Sequence, residues 1–134
     1  MIAWCVCGTG SKYIECCGRY IDEGAIPQSA EALMRSRYAA YTMLREDYLL
    51  ATWHVGKRPA SLGLNKEIKE NEEVATKWLG LDIKRVESQP TTAIVEFTAR
   101  FKVGGRRAER LHEVSRFLFE DGRWFYVDGD LKRC

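Results

Sequence analysis

Four of the chain's five cysteines stand within the stretch CVCGTGSKYIECC, from Cys5 to Cys17. The spacing is Cys5-x-Cys7, eight residues, then Cys16-Cys17. Thiols this close are metal ligands, disulfide partners or redox centres, and the pattern separates these chemistries. A bridge between the adjacent Cys16 and Cys17 would be strained, and two crossed bridges would suit a secreted peptide better. A thioredoxin-type centre needs Cys-x-x-Cys beside a βαβ pattern, which is absent. An iron–sulfur cluster stays chemically open but lacks its usual Cys-x-x-Cys-x-x-Cys spacing. Zinc takes four thiolate or imidazole ligands in a tetrahedron and, having no redox chemistry, persists in a reducing cytosol. Gly8, Gly10 and Gly18 allow the positive φ values that wrapping a short loop around one ion requires. The cluster therefore reads as the site of one structural Zn2+ per chain, with another thiophilic metal left open. So short a segment cannot bury a core, and the ion would supply its folding energy.

The elements that must position this cluster follow it. Gly18 to Gln28, with one Pro and two Gly, reads as a linker. Ser29 is a suitable N-cap, and Ala30, Leu33, Met34, Tyr38, Tyr41 and Leu44 recur at helical steps, predicting a helix that ends near Glu46. Asp47 is expected to cap a short helix over YLLATW, and KEIKENEEVATKW, residues 66–78, to form a charged helix. From Leu79 the period changes. LGLDIKRVES reads as a strand, and Ala93, Val95, Phe97, Ala99, Phe101 and Val103 alternate with Thr92, Ile94, Glu96, Thr98, Arg100 and Lys102 on opposite faces of another. Gly104-Gly105 and Asp121-Gly122 mark hairpin turns around a third strand, RRAERLHEVSRFLFE, and RWFYVDG makes the fourth. Helices first and an antiparallel meander after them give an α+β fold, the helices packed on one face of the sheet. Residues 1–20 are expected to form the small metal-binding unit and 28–131 the main domain.

Composition is that of a globular chain, 46% hydrophobic and 30% charged, with no run apolar enough to span a membrane. The start carries no basic region followed by an apolar one, so a cytoplasmic protein is expected. A net charge of +2 does not by itself imply nucleic-acid binding.

CVCGTGSKYIECC also resembles the SEC-C motif, the zinc knuckle at the C-terminus of the SecA translocation ATPase. Thr9 stands where Ser is usual, Ser11 where Lys is common and Val6 where Pro is frequent; all four ligand positions are kept. EALMRSRYAAY, DYLLATWH, WLGLDI, VEFTARF and EVSRFLFEDGRWFYVDG extend the likeness over nearly the whole chain, which resembles the YchJ family of bacterial proteins. That resemblance implies a knuckle, with Cys5, Cys7, Cys16 and Cys17 as zinc ligands, joined to a cone of helices on a curved antiparallel sheet like that of nuclear transport factor 2. It implies no reaction.

A cone of this kind encloses a pocket between the concave sheet face and the first helix. Arg35, Tyr38, Trp53, His54, Glu113, Arg116, Trp124 and Asp128 are the candidates to line it, with Trp124, Tyr126 and Asp128 on one face of the last strand. The plainer readings are that the tryptophans pack, that Arg35 or Arg37 pairs with Glu113 to hold helix to sheet, and that Asp128 fixes a turn. Arg106, Arg107 and Arg110, with Lys102, form a basic hairpin suited to RNA or an acidic protein, though the many glutamates favour a merely solvated turn. No catalytic motif is present. The expected function is that of a non-enzymatic zinc-binding adaptor whose knuckle contacts a protein or ribonucleoprotein partner. The alternative is a small-molecule-binding protein or enzyme using the cone pocket. A homodimer through Val95, Phe97 and Phe101 is compatible with either.

Overall fold

The computed structural model describes residues 5–60 and 76–132. A single 3-10 turn, Tyr13–Glu15, precedes α1 (Gly18–Ile21), α2 (Ala30–Thr42) and α3 (Glu46–Ala51). Among the described residues four strands follow: β1 (Thr76–Ser88), β2 (Thr92–Val103), β3 (Glu109–Glu120) and β4 (Arg123–Lys132). They pair in sequence order as one curved antiparallel meander with the helices packed against it.

Helix α2 is the centre of the molecule. Ser29 starts it as expected, its extended backbone letting Oγ accept the Ala32 N–H at 3.0 Å. Ala30, Leu33, Met34 and Tyr38 then pack on the sheet with Ala93, Val95, Phe97, Ala99, Phe117 and Trp124. Burying a side chain such as Leu33 contributes about 1.5–3 kcal/mol. Two residues further round the helix, Ala39 and Ala40 form a second buried face, shared with Leu49 of α3, Ile21 of α1 and all four cysteines of the cluster. The helix is thus covered on two sides.

Several boundaries differ from the sequence reading. Helix α2 stops at Thr42, short of Glu46, because Leu44 takes a left-handed φ of 57°. The Arg45 N–H then reaches Ala40 O at 2.9 Å and the Leu44 N–H reaches Tyr41 O at 3.3 Å, a Schellman end without its usual glycine. Helix α3 accordingly begins at Glu46 and contains Asp47 rather than being capped by it. The expected linker 18–28 holds α1, and Thr76–Trp78, expected at the end of a helix, begin β1. The remainder of that predicted helix, and Cys134, lie outside the described residues.

The alternation of β2 is as expected, with Ala93, Val95, Phe97 and Ala99 buried. Val95 and Phe97 therefore belong to the core and not to an exposed apolar face, and Phe101 leans on Trp78 at 5.6 Å. Strand β1 carries two irregularities against β2, and β4 carries one against β3, where the register jumps from Arg116↔Asp128 to Phe117↔Tyr126. Val127 is the extra residue. Such bulges bend a strand and reset which side chains face the core. After α3 the chain covers the β4 edge: Trp53 bridges Tyr126, the His54 N–H bonds Tyr126 O at 2.7 Å, and the Tyr126 N–H bonds Thr52 O at 2.9 Å. Among the described residues no helix is long and apolar enough to cross a membrane.

The Glu113 carboxyl lies directly over Gly129 on the neighbouring strand, where a Cβ would overlap it. Gly129→Ala must push that side chain away from its partners. We expect a loss of about 1–3 kcal/mol, read by calorimetry as a melting temperature lower by several degrees. An unchanged melting temperature would show that the Glu113 position is freely adjustable.

Candidate metal centre and cone interior

Backbone bonds close the cysteine loop before any metal is considered. The Cys5 N–H reaches Ser11 O at 2.9 Å and the Cys16 N–H reaches Tyr13 O at 3.0 Å. Gly8 and Gly10 turn the loop with φ of 88° and 84°, values that a residue with a Cβ adopts only under strain. The result brings one sulfur each from Cys5, Cys7, Cys16 and Cys17 within 4.8 Å of all the others. Cys7 and Cys16 are 3.5 Å apart and Cys16 and Cys17 are 4.0 Å apart, with no disulfide among them. Such a group can hold one metal ion. The Thr9 hydroxyl stands 3.1 Å from the Cys16 sulfur and 3.6 Å from that of Cys7, placed to donate to a thiolate.

Packed this tightly, the thiols perturb one another's protonation. Hydrogen bonds from Cys17 and Cys5 push Cys7 well below the ordinary thiol range, while Cys17, bonded to the same two sulfurs and buried, is pushed well above it. A bound cation would favour the thiolate form of its sulfur ligands.

The loop is fastened to the main domain by polar contacts as well as by Ala39 and Ala40. Arg35 of α2 pairs with Glu31 at 3.0 Å and donates from Nη1 to Cys7 O at 2.6 Å. The Tyr13 hydroxyl donates to Asp22 at 2.8 Å, and Arg45 reaches the same carboxyl at 2.7 Å. These two donors, Tyr13 first, hold Asp22 below the usual carboxylate range. Arg35 thus serves the knuckle, and neither it nor Arg37 lies within ion-pair distance of Glu113 among the described residues.

A separate cavity of about 240 Å3 opens between α2 and the concave sheet face. Its walls include Arg37, Tyr38, Tyr41, Trp78, Glu113 and Tyr126. Of the residues singled out by sequence, Tyr38 and Glu113 are there. Trp53 stands just behind, its ring edge-on to Tyr126 at 5.0 Å and its indole N–H donating to Val127 O at 3.1 Å. Trp124 is core. His54 lies elsewhere, with Nε2 3.3 Å from Glu120 and its ring against Phe125. Arg116 and Asp128 pair with each other at 2.5 Å, and Arg116 also reaches Asp130 at 2.8 Å. The Val127 bulge is the reason Asp128 leaves the face it was expected to share with Trp124 and Tyr126.

Arg37 is the residue that the sequence pattern undervalued. It is 2% exposed, donates from Nη1 to Leu49 O and to Thr52 Oγ1, both at 2.7 Å, and lies over the rings of Tyr126 and Trp53 at 4.4 and 5.1 Å. Its position inside a helical apolar stripe was the available signal, since a charge there must be satisfied by the fold. Burial lowers the Arg37 pKa, and burial, followed by the nearby Glu113 charge, raises that of Tyr126 far above the ordinary tyrosine range. Burial likewise raises Tyr38 and Tyr41, so the cavity hydroxyls are protonated at neutral pH.

Outside, the basic hairpin is exposed and Arg110 stands directly across from Arg100. With Lys84 they line a groove that Val6 and Gly8 of the cysteine loop complete.

Known proteins are similar to this chain over nearly its whole length. Residues 29–129 match the family description "YchJ, middle NTF2-like domain". A UPF0225 protein of Chromobacterium violaceum is 52% identical, over 95% of this chain and 92% of its own. The solution structure of a SEC-C motif containing protein from Rhodopseudomonas palustris is 35% identical with a TM-score of 0.82, over 96% of this chain and 98% of that one. The crystal structure of a SEC-C motif containing protein from Psychrobacter arcticus is 25% identical with a TM-score of 0.77, over 97% and 83% of the two chains.

The geometry generates a metal-removal test. Purified protein should carry about one metal ion per chain. Chelation should raise amide hydrogen exchange of residues 5–21 by more than about tenfold, because the loop loses the bond that orders it. Cys7→Ser should behave as the chelated wild type. Full protection after complete metal loss would show that Ala39, Ala40 and Arg35 suffice to hold the loop.

Proposed function

The chain belongs to the YchJ family, and we propose that it is a non-enzymatic adaptor of the reducing cytoplasm, with a zinc-ordered knuckle that contacts a protein or ribonucleoprotein partner. The observation that carries the reading is the contrast between the two sides of the loop. Its four sulfurs face inward and are buried, whereas Val6 and Ile14 on the outside are 48% and 71% exposed. A centre with four protein ligands keeps no open position for a substrate, so its role is to shape a surface.

Zinc is the ion the donor set favours. With a Zn–S bond of about 2.3 Å, a regular tetrahedron has sulfur–sulfur edges of about 3.8 Å, and the Cys7–Cys16 and Cys16–Cys17 separations of 3.5 and 4.0 Å straddle that length. Four soft thiolates and no carboxylate favour it over magnesium, calcium or manganese. The adjoining groove supports an acidic partner, since Lys84, Arg100 and Arg110 stand against a single carboxylate, Asp82, which Lys84 already pairs at 2.7 Å. Like charges directly opposed across strands are unfavourable in isolation and are relieved by an anion.

Affinity capture from extract should test the surface without unfolding it. Val6→Ser with Ile14→Ser leaves the ligands and the metal in place, and should lose partners that wild type retains. Cys16→Ser with Cys17→Ser should lose the same ones. Identical partner sets from all three proteins would refute the adaptor role.

A further inference from the structure

The cone holds a buried cation and a carboxylate that face one cavity without touching. Arg37 has no carboxylate within 4.0 Å among the described residues. Its Nη1 is occupied by Leu49 and Thr52, and its face by two aromatic rings. Glu113, projecting from β3, accepts on Oε2 from Ser115 at 2.5 Å and from the Tyr126 hydroxyl at 3.3 Å, with no cation in ion-pair range among the described residues. A clamp between α2 and the end of α3 needs a donor to Leu49 O and Thr52, but it does not need a full charge. Desolvating a guanidinium without a paired anion is unfavourable. No carboxylate among the described residues neutralises that charge.

We propose that the cavity binds a small zwitterionic amino-carboxylate, the class to which free amino acids belong, with its carboxylate toward Arg37 and its ammonium toward Glu113. An anion alone would meet the Glu113 charge and a cation alone would meet Arg37, so a ligand carrying both at a short separation is selected. Tyr38, Tyr41, Trp78 and Tyr126 supply aromatic faces of the kind that attract an ammonium group. Met34, Phe97 and Leu111 supply the apolar wall for the rest of the molecule. The space of about 240 Å3 is smaller than a drug-sized site, and it suits a ligand of roughly ten non-hydrogen atoms. Gly129 belongs to this site as well, because only a residue without a side chain lets Glu113 lie where it does. The inference is independent of the adaptor reading, since the knuckle and the cavity lie on different faces of α2.

The test uses the full chain with its metal. The twenty standard amino acids are titrated by calorimetry, and the Trp78 indole N–H is followed by NMR. The tightest is then compared with its analogue lacking the amino group and its analogue lacking the carboxylate. We expect saturable binding with a Kd below about 1 mM, a shift of the Trp78 indole, and a preference of at least about tenfold over each single-charge analogue. Glu113→Gln, which keeps the shape of the side chain, should abolish the preference over the analogue without the amino group while leaving the fold intact by circular dichroism. Three results would each overturn the proposal: no saturation by any amino acid at about 10 mM, equal affinity for the singly charged analogues, or a preference unaffected by Glu113→Gln.

Discussion

Almost everything in this molecule depends on α2 being buried from two sides at once. A helix that lies on a sheet ordinarily keeps its far face in water, with polar residues there. Here the far face carries Ala39 and Ala40, and their small size lets the cysteine loop approach the helix backbone. The loop in turn is too short to have an interior of its own and uses the helix as one. Loop and helix are thereby coupled: whatever orders the four sulfurs also fixes what covers α2, and Arg35, bonded to Cys7 O, keeps the two in register.

The same helix sets the character of the cone. Two turns of α2 bring Met34, Tyr38 and Tyr41 over the concave sheet, and Arg37 enters beside them because its neighbours in the chain are already committed to opposite faces. Its burial is made tolerable by carbonyl and hydroxyl acceptors at the end of α3 and by two aromatic rings. On the sheet side, the extra residue at Val127 turns Tyr126 inward and Asp128 outward. That one irregularity decides that Asp128 neutralises Arg116 on the outer surface instead of joining the polar groups of the cavity.

Much of this was readable from the sequence, and the failures have common causes. Side-chain periods showed the strand faces of β2, the cap at Ser29 and the turn at Asp121-Gly122, because each is enforced locally. The cysteine spacing showed the four-thiol cluster for the same reason: it is a short-range pattern with few alternative chemistries. The end of α2 was missed because Leu44 adopts a left-handed conformation that a glycine would have announced. Alternation along β4 failed at a bulge, which has no side-chain signature. Arg37 was read as a partner for Glu113 because opposite charges on facing elements invite pairing. Its real partners are a backbone carbonyl, a hydroxyl and two rings, and a pattern of residue types does not reveal these.

Among the described residues the sheet has two outer strands, and each is met by a piece that is not a strand of it. The segment after α3 lies along β4 through Trp53 and His54. On the opposite side, Gly8 of the cysteine loop sits against the backbone of β1 at the Leu81 carbonyl. An uncovered edge strand offers its backbone amides and carbonyls to any other extended chain, including a copy of itself. The cysteine loop, which meets β1 at this point, therefore also shields part of an edge that would otherwise be open to another extended chain.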